Sequence, residues 1–117
     1  MGDFNRATLV GHLINEPEAK EVGDERLRTS FTLAVKRPYK DSEGKQVTDF
    51  FNIVSWGKLA EICQEYVKKG SDVLIDGRIQ SRSYEQDSQT KWITEIIAES
   101  VSFLGHKNGN NGKKKEN

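Results

Sequence analysis

Apolar and polar positions follow a two-residue period along most of this chain and a helical period in one segment. Residues 7–14, Ala-Thr-Leu-Val-Gly-His-Leu-Ile, are rich in β-formers, and Gly11 in mid-run predicts a bulge or sharp bend. Residues 27–36 alternate Thr29, Phe31, Leu33 and Val35 with Ser30, Thr32, Ala34 and Lys36, the pattern of a half-buried strand. Pro38 is expected to end it, and Asp41-Ser42-Glu43-Gly44-Lys45 reads as a turn. A third strand is predicted from Val47 to Trp56. Phe50, Asn52, Val54 and Trp56 fall on one of its faces, and Phe51, Ile53 and Ser55 on the other.

The period then changes. Leu59, Ile62, Cys63, Tyr66 and Val67 make the stripe of an amphipathic helix over Lys58 to Lys69, with Lys68 and Lys69 in its last turn and Gly70 as its stop. A fourth strand is expected over Asp72 to Ser81, with Val73, Ile75, Gly77 and Ile79 on one face. Polar residues 82–91 read as a loop or hairpin tip. Trp92 to Leu104 reads as a fifth strand with apolar side chains on both faces. Three strands, one helix and two strands is the order of an OB-fold. The expected fold is therefore all-β with one short helix, a five-stranded, partly open Greek-key barrel.

The 117 residues suit one domain. No apolar run approaches the roughly 20 residues of a membrane helix. Met1-Gly2-Asp3-Phe4 has neither a signal-peptide layout nor the Arg-rich bias of a transit peptide. A single cysteine, Cys63, excludes an internal disulfide and a multi-cysteine zinc site.

Eighteen basic and 18 acidic side chains cancel to zero charge. The cancellation hides a division. Residues 105–117 hold four Lys against one Glu, so residues 1–104 carry −3. The last 13 residues have no apolar side chain and three glycines, and they are expected to be a disordered basic tail after a domain spanning residues 1–104. Glu16, Glu18, Glu21, Asp24 and Glu25 form an acidic stretch around Lys20, to which the pattern assigns no element. Basic residues gather elsewhere, as Lys36, Arg37 and Lys40, as Lys68 and Lys69, and as Arg78 and Arg82.

Catalysis finds little support. His12 and His106 have no partners at metal-ligand spacing, Cys63 lies on the buried stripe, and no glycine-rich phosphate loop precedes the helix. No catalytic residue, metal or cofactor is expected. Binding is better supported. Ten aromatics are present, and Tyr39 stands in a polar loop beside Lys36, Arg37 and Lys40, and Tyr84 beside Arg82. Phe50 and Trp56 share a strand face with Asn52. Unpaired bases stack on such rings, and cations neutralise phosphates and release counterions. By pattern alone, Phe50 and Trp56 are equally readable as core or subunit-contact residues, and each basic cluster as a solvated face.

Longer segments carry a resemblance. The run Asn5-Arg6-Ala7-Thr8-Leu9-Val10-Gly11-His12-Leu13 with Pro17-Glu18, then Phe31-Thr32-Leu33-Ala34-Val35, then Thr48-Asp49-Phe50-Phe51-Asn52-Ile53-Val54-Ser55-Trp56-Gly57-Lys58-Leu59-Ala60-Glu61 is similar to the bacterial type of single-stranded-DNA-binding proteins, also found in mitochondria and phages. Tyr66-Val67-Lys68-Lys69-Gly70-Ser71 through Val73, Ile75, Gly77 and Arg78 continues the match, which covers about Phe4 to Gly105. The resemblance implies an OB-fold that assembles as a homotetramer and binds single-stranded DNA with little sequence preference, in replication, recombination and repair. It implies stacking on Tyr39, Phe50, Trp56 and Tyr84, and basic groove positions at Arg6, Lys58, Lys69 and Arg82, beside Lys36 and Arg37 of the neighbouring cluster. It also places Phe51 where subunits associate, with barrel packing as the plainer alternative. A cytoplasmic, nucleoid-associated protein of a bacterium, phage or plasmid is implied ahead of one from the mitochondrial matrix.

Three departures stand out. Ile14 replaces a usual glycine, and Asn52 and Ser83 replace residues that are basic in some members. Bacterial members end in an acidic, Phe-tipped tail that recruits replication and repair enzymes, whereas this sequence ends Lys113-Lys114-Lys115-Glu116-Asn117. Competing expectations are an OB-fold module related to primosome assembly proteins, which would be dimeric with weak DNA binding, and an OB-fold nuclease, which would cut labelled strands.

Overall fold

The computed structural model describes residues 2–24 and 26–106; the expected tail from Lys107 onward lies outside them. Seven elements follow one another: β1 (Ala7–Leu13), β2 (Glu18–Val22), β3 (Arg26–Lys40), β4 (Gln46–Trp56), α1 (Gly57–Tyr66), β5 (Ser71–Gln86) and β6 (Gln89–His106). The strands form one sheet in the order β1-β5-β6-β4-β3-β2. Pairing of His12 with Ala34 and of Leu13 with Leu33 brings β1 onto β3. Five strands therefore close into a ring, and β2 is attached outside it. Within the ring, β4 meets β6 in parallel at Ile53 opposite Ile96 and Val54 opposite Ile97.

The inward positions of these strands make the core. Leu13, Leu33, Ile53, Val73 and Ile75 are buried together with Phe31, Cys63, Val67, Ile96 and Ala98. Gly11 produces a bend and not a bulge: β1 keeps its register with β5 past Gly11 opposite Val73 to His12 opposite Asp72, and from His12 it also pairs with β3. A Cβ at position 11 would overlap the Ala34 carbonyl, so the two backbones can approach only over a glycine.

Four expectations need correction or narrowing. The acidic stretch contains a strand, β2, all of whose residues are exposed. Its cross-strand backbone pairing with Arg26 to Ser30 does not depend on an apolar side, so hydropathy gave no sign of it. Pro38 does not end β3. A register shift between Lys36 and Lys40 takes up its missing N–H, and the strand resumes opposite Gln46. Residues 82–91 take the hairpin alternative of the two expected. β5 and β6 continue as a polar two-stranded arm to a two-residue turn, Asp87-Ser88, with both φ positive (53° and 65°). Finally, α1 stops at Tyr66, and its basic pair Lys68 and Lys69 lies beyond it. The helix stripe is also narrower than expected: Ala60 and Cys63 are buried, whereas Ile62 and Tyr66 are exposed. Thr29 Oγ1 donates to the Ala60 carbonyl at 2.9 Å and ties α1 to β3.

Candidate nucleic-acid interface

β4 changes character along its length. Ile53 and Ser55 point inward and are fully buried, and Phe51 is half-buried against the core. The alternate residues Phe50 and Asn52 face outward, and Phe50 is 61% exposed. Trp56, at the end of the same outer row, is half-buried. Gly57 follows with φ 65°, a conformation open to glycine at little cost, so the chain turns into α1 immediately after the indole.

Cross-strand register extends this outer row. Lys36 stands opposite Thr48, Ala34 opposite Phe50, Thr32 opposite Asn52 and Arg28 opposite Trp56. On the other side of β4, Glu95 of β6 and Arg82 of β5 join Arg28, Asn52, Val54 and Ile93 around a groove of about 270 Å³. Tyr84, two residues beyond Arg82 on the same face of the arm, is 42% exposed. Tyr39 is 61% exposed on the tip of the β3–β4 hairpin, beside the register shift. Phe50, Trp56, Lys36, Arg82 and Tyr84 thus share one outer surface, with Arg37 and Tyr39 on the hairpin that rises from it. Trp92, opposite Ser83, lies on the other face of the arm and is 70% exposed.

The remaining expected contacts lie on other elements, with Lys58 bordering the Trp56 end of the row. Arg6 precedes β1 and ion-pairs with Asp76 of β5. Lys58 is the second residue of α1, 3.8 Å from Glu61. Lys69 follows α1 in the turn where Gly70 N–H donates to the Leu13 carbonyl.

Carboxylate partners are what sequence reasoning missed. Arg37 donates to both oxygens of Asp49 at 2.9 Å. That hydrogen bond, with the Asp49 charge, raises the arginine further above its ordinary value and holds the Asp49 carboxyl below its own. Arg82 makes a forked pair to Glu95 at 3.0 and 3.1 Å, and Arg28 reaches the same carboxylate at 3.3 Å. Glu95 is buried, and its hydrogen bonds push the Arg82 value up. Two guanidiniums on one buried carboxylate fix the groove floor and leave it one positive charge. Arg26 takes another course: its guanidinium lies 4.6 Å from the centroid of the Trp56 ring. Strand periodicity marks Arg26 and Arg28 as one face, but only the registers with β4 and β6 reveal their partners.

Cys63 is fully buried, and burial pushes its thiol up, away from thiolate chemistry. Among the described residues, no group of three or more His, Cys, Asp or Glu side chains is placed to hold a metal ion. Among the described residues, no helix is long and apolar enough to cross a membrane.

Two curated relatives are similar over nearly the whole chain. The Single-stranded DNA-binding protein 1 of Chlorobaculum tepidum is 42% identical over 114 residues, 93% of this chain and 70% of the relative. The Single-stranded DNA-binding protein 3 of Listeria innocua is 44% identical over 116 residues, 97% of this chain and 72% of the relative. A solved structure described as a Plasmodium falciparum SSB complex with ssDNA superposes with a TM-score of 0.79 at 27% identity, covering 89% of this chain and 97% of that one. The OB-fold expected from the element order is the fold of that neighbour. The sequence model of the Single-strand binding protein family matches residues 4–104, the ring and nearly all of β6, and the chain belongs to that family.

Proposed function

We propose that this protein binds single-stranded DNA without sequence specificity, through base stacking and phosphate contacts, and protects exposed strands during replication, recombination and repair. The observation that carries the reading is the outward row of β4. Phe50 presents a ring to solvent from a strand whose neighbouring residues already fill the core. A base is a flat apolar partner for such a ring, worth about 1–3 kcal/mol, and every base offers one. Tyr39, Trp56 and Tyr84 are the further stacking positions. Lys36, Arg37 and Arg82 are the nearest phosphate ligands, and Arg6, Lys58 and Lys69 continue the path around the barrel. DNA phosphates compete with Asp49, Glu95 and Asp76 for the arginines, so part of each contact is an exchange of one anion for another.

We further infer a homotetramer, with Phe51 supporting subunit association, and no catalytic role. The segment after His106 serves as a basic tail that adds unspecific phosphate affinity. Replication and repair proteins are further partners to be sought by pull-down. Titration with poly-dT at low salt tests the central reading. Trp fluorescence is expected to be quenched and affinity to fall as salt rises. Unchanged emission and unchanged anisotropy of a labelled strand at excess protein would overturn it.

A further inference from the structure

Among the described residues, five arginines each ion-pair with a carboxylate: Arg6, Arg28, Arg37, Arg78 and Arg82. Arg26 has no such pair there and rests instead on the Trp56 ring, 4.6 Å from its centroid. Its side chain is exposed, and Trp56 is half-buried, so the guanidinium covers part of the ring surface left to solvent. Arg26 reaches it from the first residue of β3, held by its pairing with Val22 of β2. It also lines a groove of about 690 Å³ with Lys20 and Lys58 and with the carboxylates Glu21 and Glu61, which leaves the groove one net positive charge. Cation–π contacts at exposed sites are weak, so this cover is easily displaced.

A guanidinium and a base are both flat, and each needs the ring face. We propose that Arg26 is an exchangeable cover for Trp56. An arriving base takes its place on the indole, and the released guanidinium binds a phosphate of the same stretch in the groove beside Lys20 and Lys58. Arg26 thereby becomes a DNA-binding residue beyond the aromatic and basic positions above. The free protein keeps the indole shielded, and binding replaces a cation–π contact with a stack and a charge pair. The inference rests on single-strand binding at the outer face of β4.

The experiment uses a Trp92→Phe background, in which emission reports Trp56 alone. The parent, Arg26→Ala and Arg26→Lys are titrated with oligo-dT over a range of salt concentrations. In the free state, Arg26→Ala is expected to shift Trp56 emission. Loss of one phosphate contact lowers the slope of log affinity against log salt by about 0.7, so the parent's advantage shrinks about fivefold per tenfold rise in salt. At high salt Arg26→Ala binds as well as the parent or better, because its ring is already uncovered. Arg26→Lys restores the slope. An unchanged slope in Arg26→Ala, or a loss constant at all salts, overturns the inference while leaving the function standing. Absence of binding by the parent overturns both.

Discussion

Phe50 and Phe51 are adjacent, chemically identical and opposite in fate. Phe51 packs against the core, and Phe50 stands 61% exposed on the other side of the strand. Phe50→Ala is expected to weaken oligo-dT binding by about 1–3 kcal/mol while leaving the denaturant midpoint within the range of a surface change. A large drop in midpoint with unchanged affinity would assign Phe50 to packing. Cys63 gives a second test at this scale. Its thiol is buried and its ionisation is suppressed. A thiol reagent at pH 8 is expected to leave the native protein unlabelled and to react promptly in denaturant. The two-residue period put Phe50 and Phe51 on opposite faces of the strand and left open whether Phe50 meets solvent, the core or another subunit. It could not read that Arg37 and Arg82 are already held by Asp49 and Glu95, because those partners lie across strand pairs whose register only the fold sets.

At the scale of elements, the β3–β4 hairpin is fastened by Arg37 and Asp49, 12 residues apart. Asp49→Asn frees the guanidinium for phosphate, and the salt slope of DNA binding is expected to steepen by about 0.7. The pH sense follows from the lowered Asp49 carboxyl. The pair's contribution is fully present above the ordinary Asp value of about 3.9 and is lost as pH falls through the lower folded value. Hairpin amide protection, taken relative to the intrinsic exchange rate at each pH, should therefore be flat from neutral pH to about 4 and fall below it; a fall near neutrality would assign the fastening to other groups. Gly11→Ala is a test of the bend, since a methyl there meets the Ala34 carbonyl. It is expected to cost about 1–3 kcal/mol by chemical denaturation. Gly11 as a break in strand regularity, the β4 alternation and α1 were legible. β2 was not, and the β5–β6 arm was legible only as a loop or hairpin tip, because both are polar strands held by backbone pairing with little burial. A two-residue turn at Asp87-Ser88 leaves a weaker mark than one containing glycine.

For the whole molecule, the element order disclosed the ring, while its closure through β1 and β3 required the three-dimensional pairing. Association is the property proposed at this scale. Val10 on β1 and Leu104 near the end of β6 are more than half exposed and line one groove, with Phe103 equally exposed beside them. Val10→Glu is expected to lower the mass seen by native mass spectrometry below that of a tetramer, with single protomers still folded; an unchanged tetramer would place the contact elsewhere.

The strand β2 has one consequence for how the protein behaves in a crowded solution. With a formal charge of zero, molecules of this chain have no net repulsion to keep them apart. The ring leaves β2 at the end of the sheet order, where a second sheet could add to its free backbone groups. That edge carries Glu18, Lys20 and Glu21 in five residues. Its charges supply locally the colloidal protection that the molecule lacks as a whole, and they keep a sheet made for single strands of DNA from recruiting strands of protein.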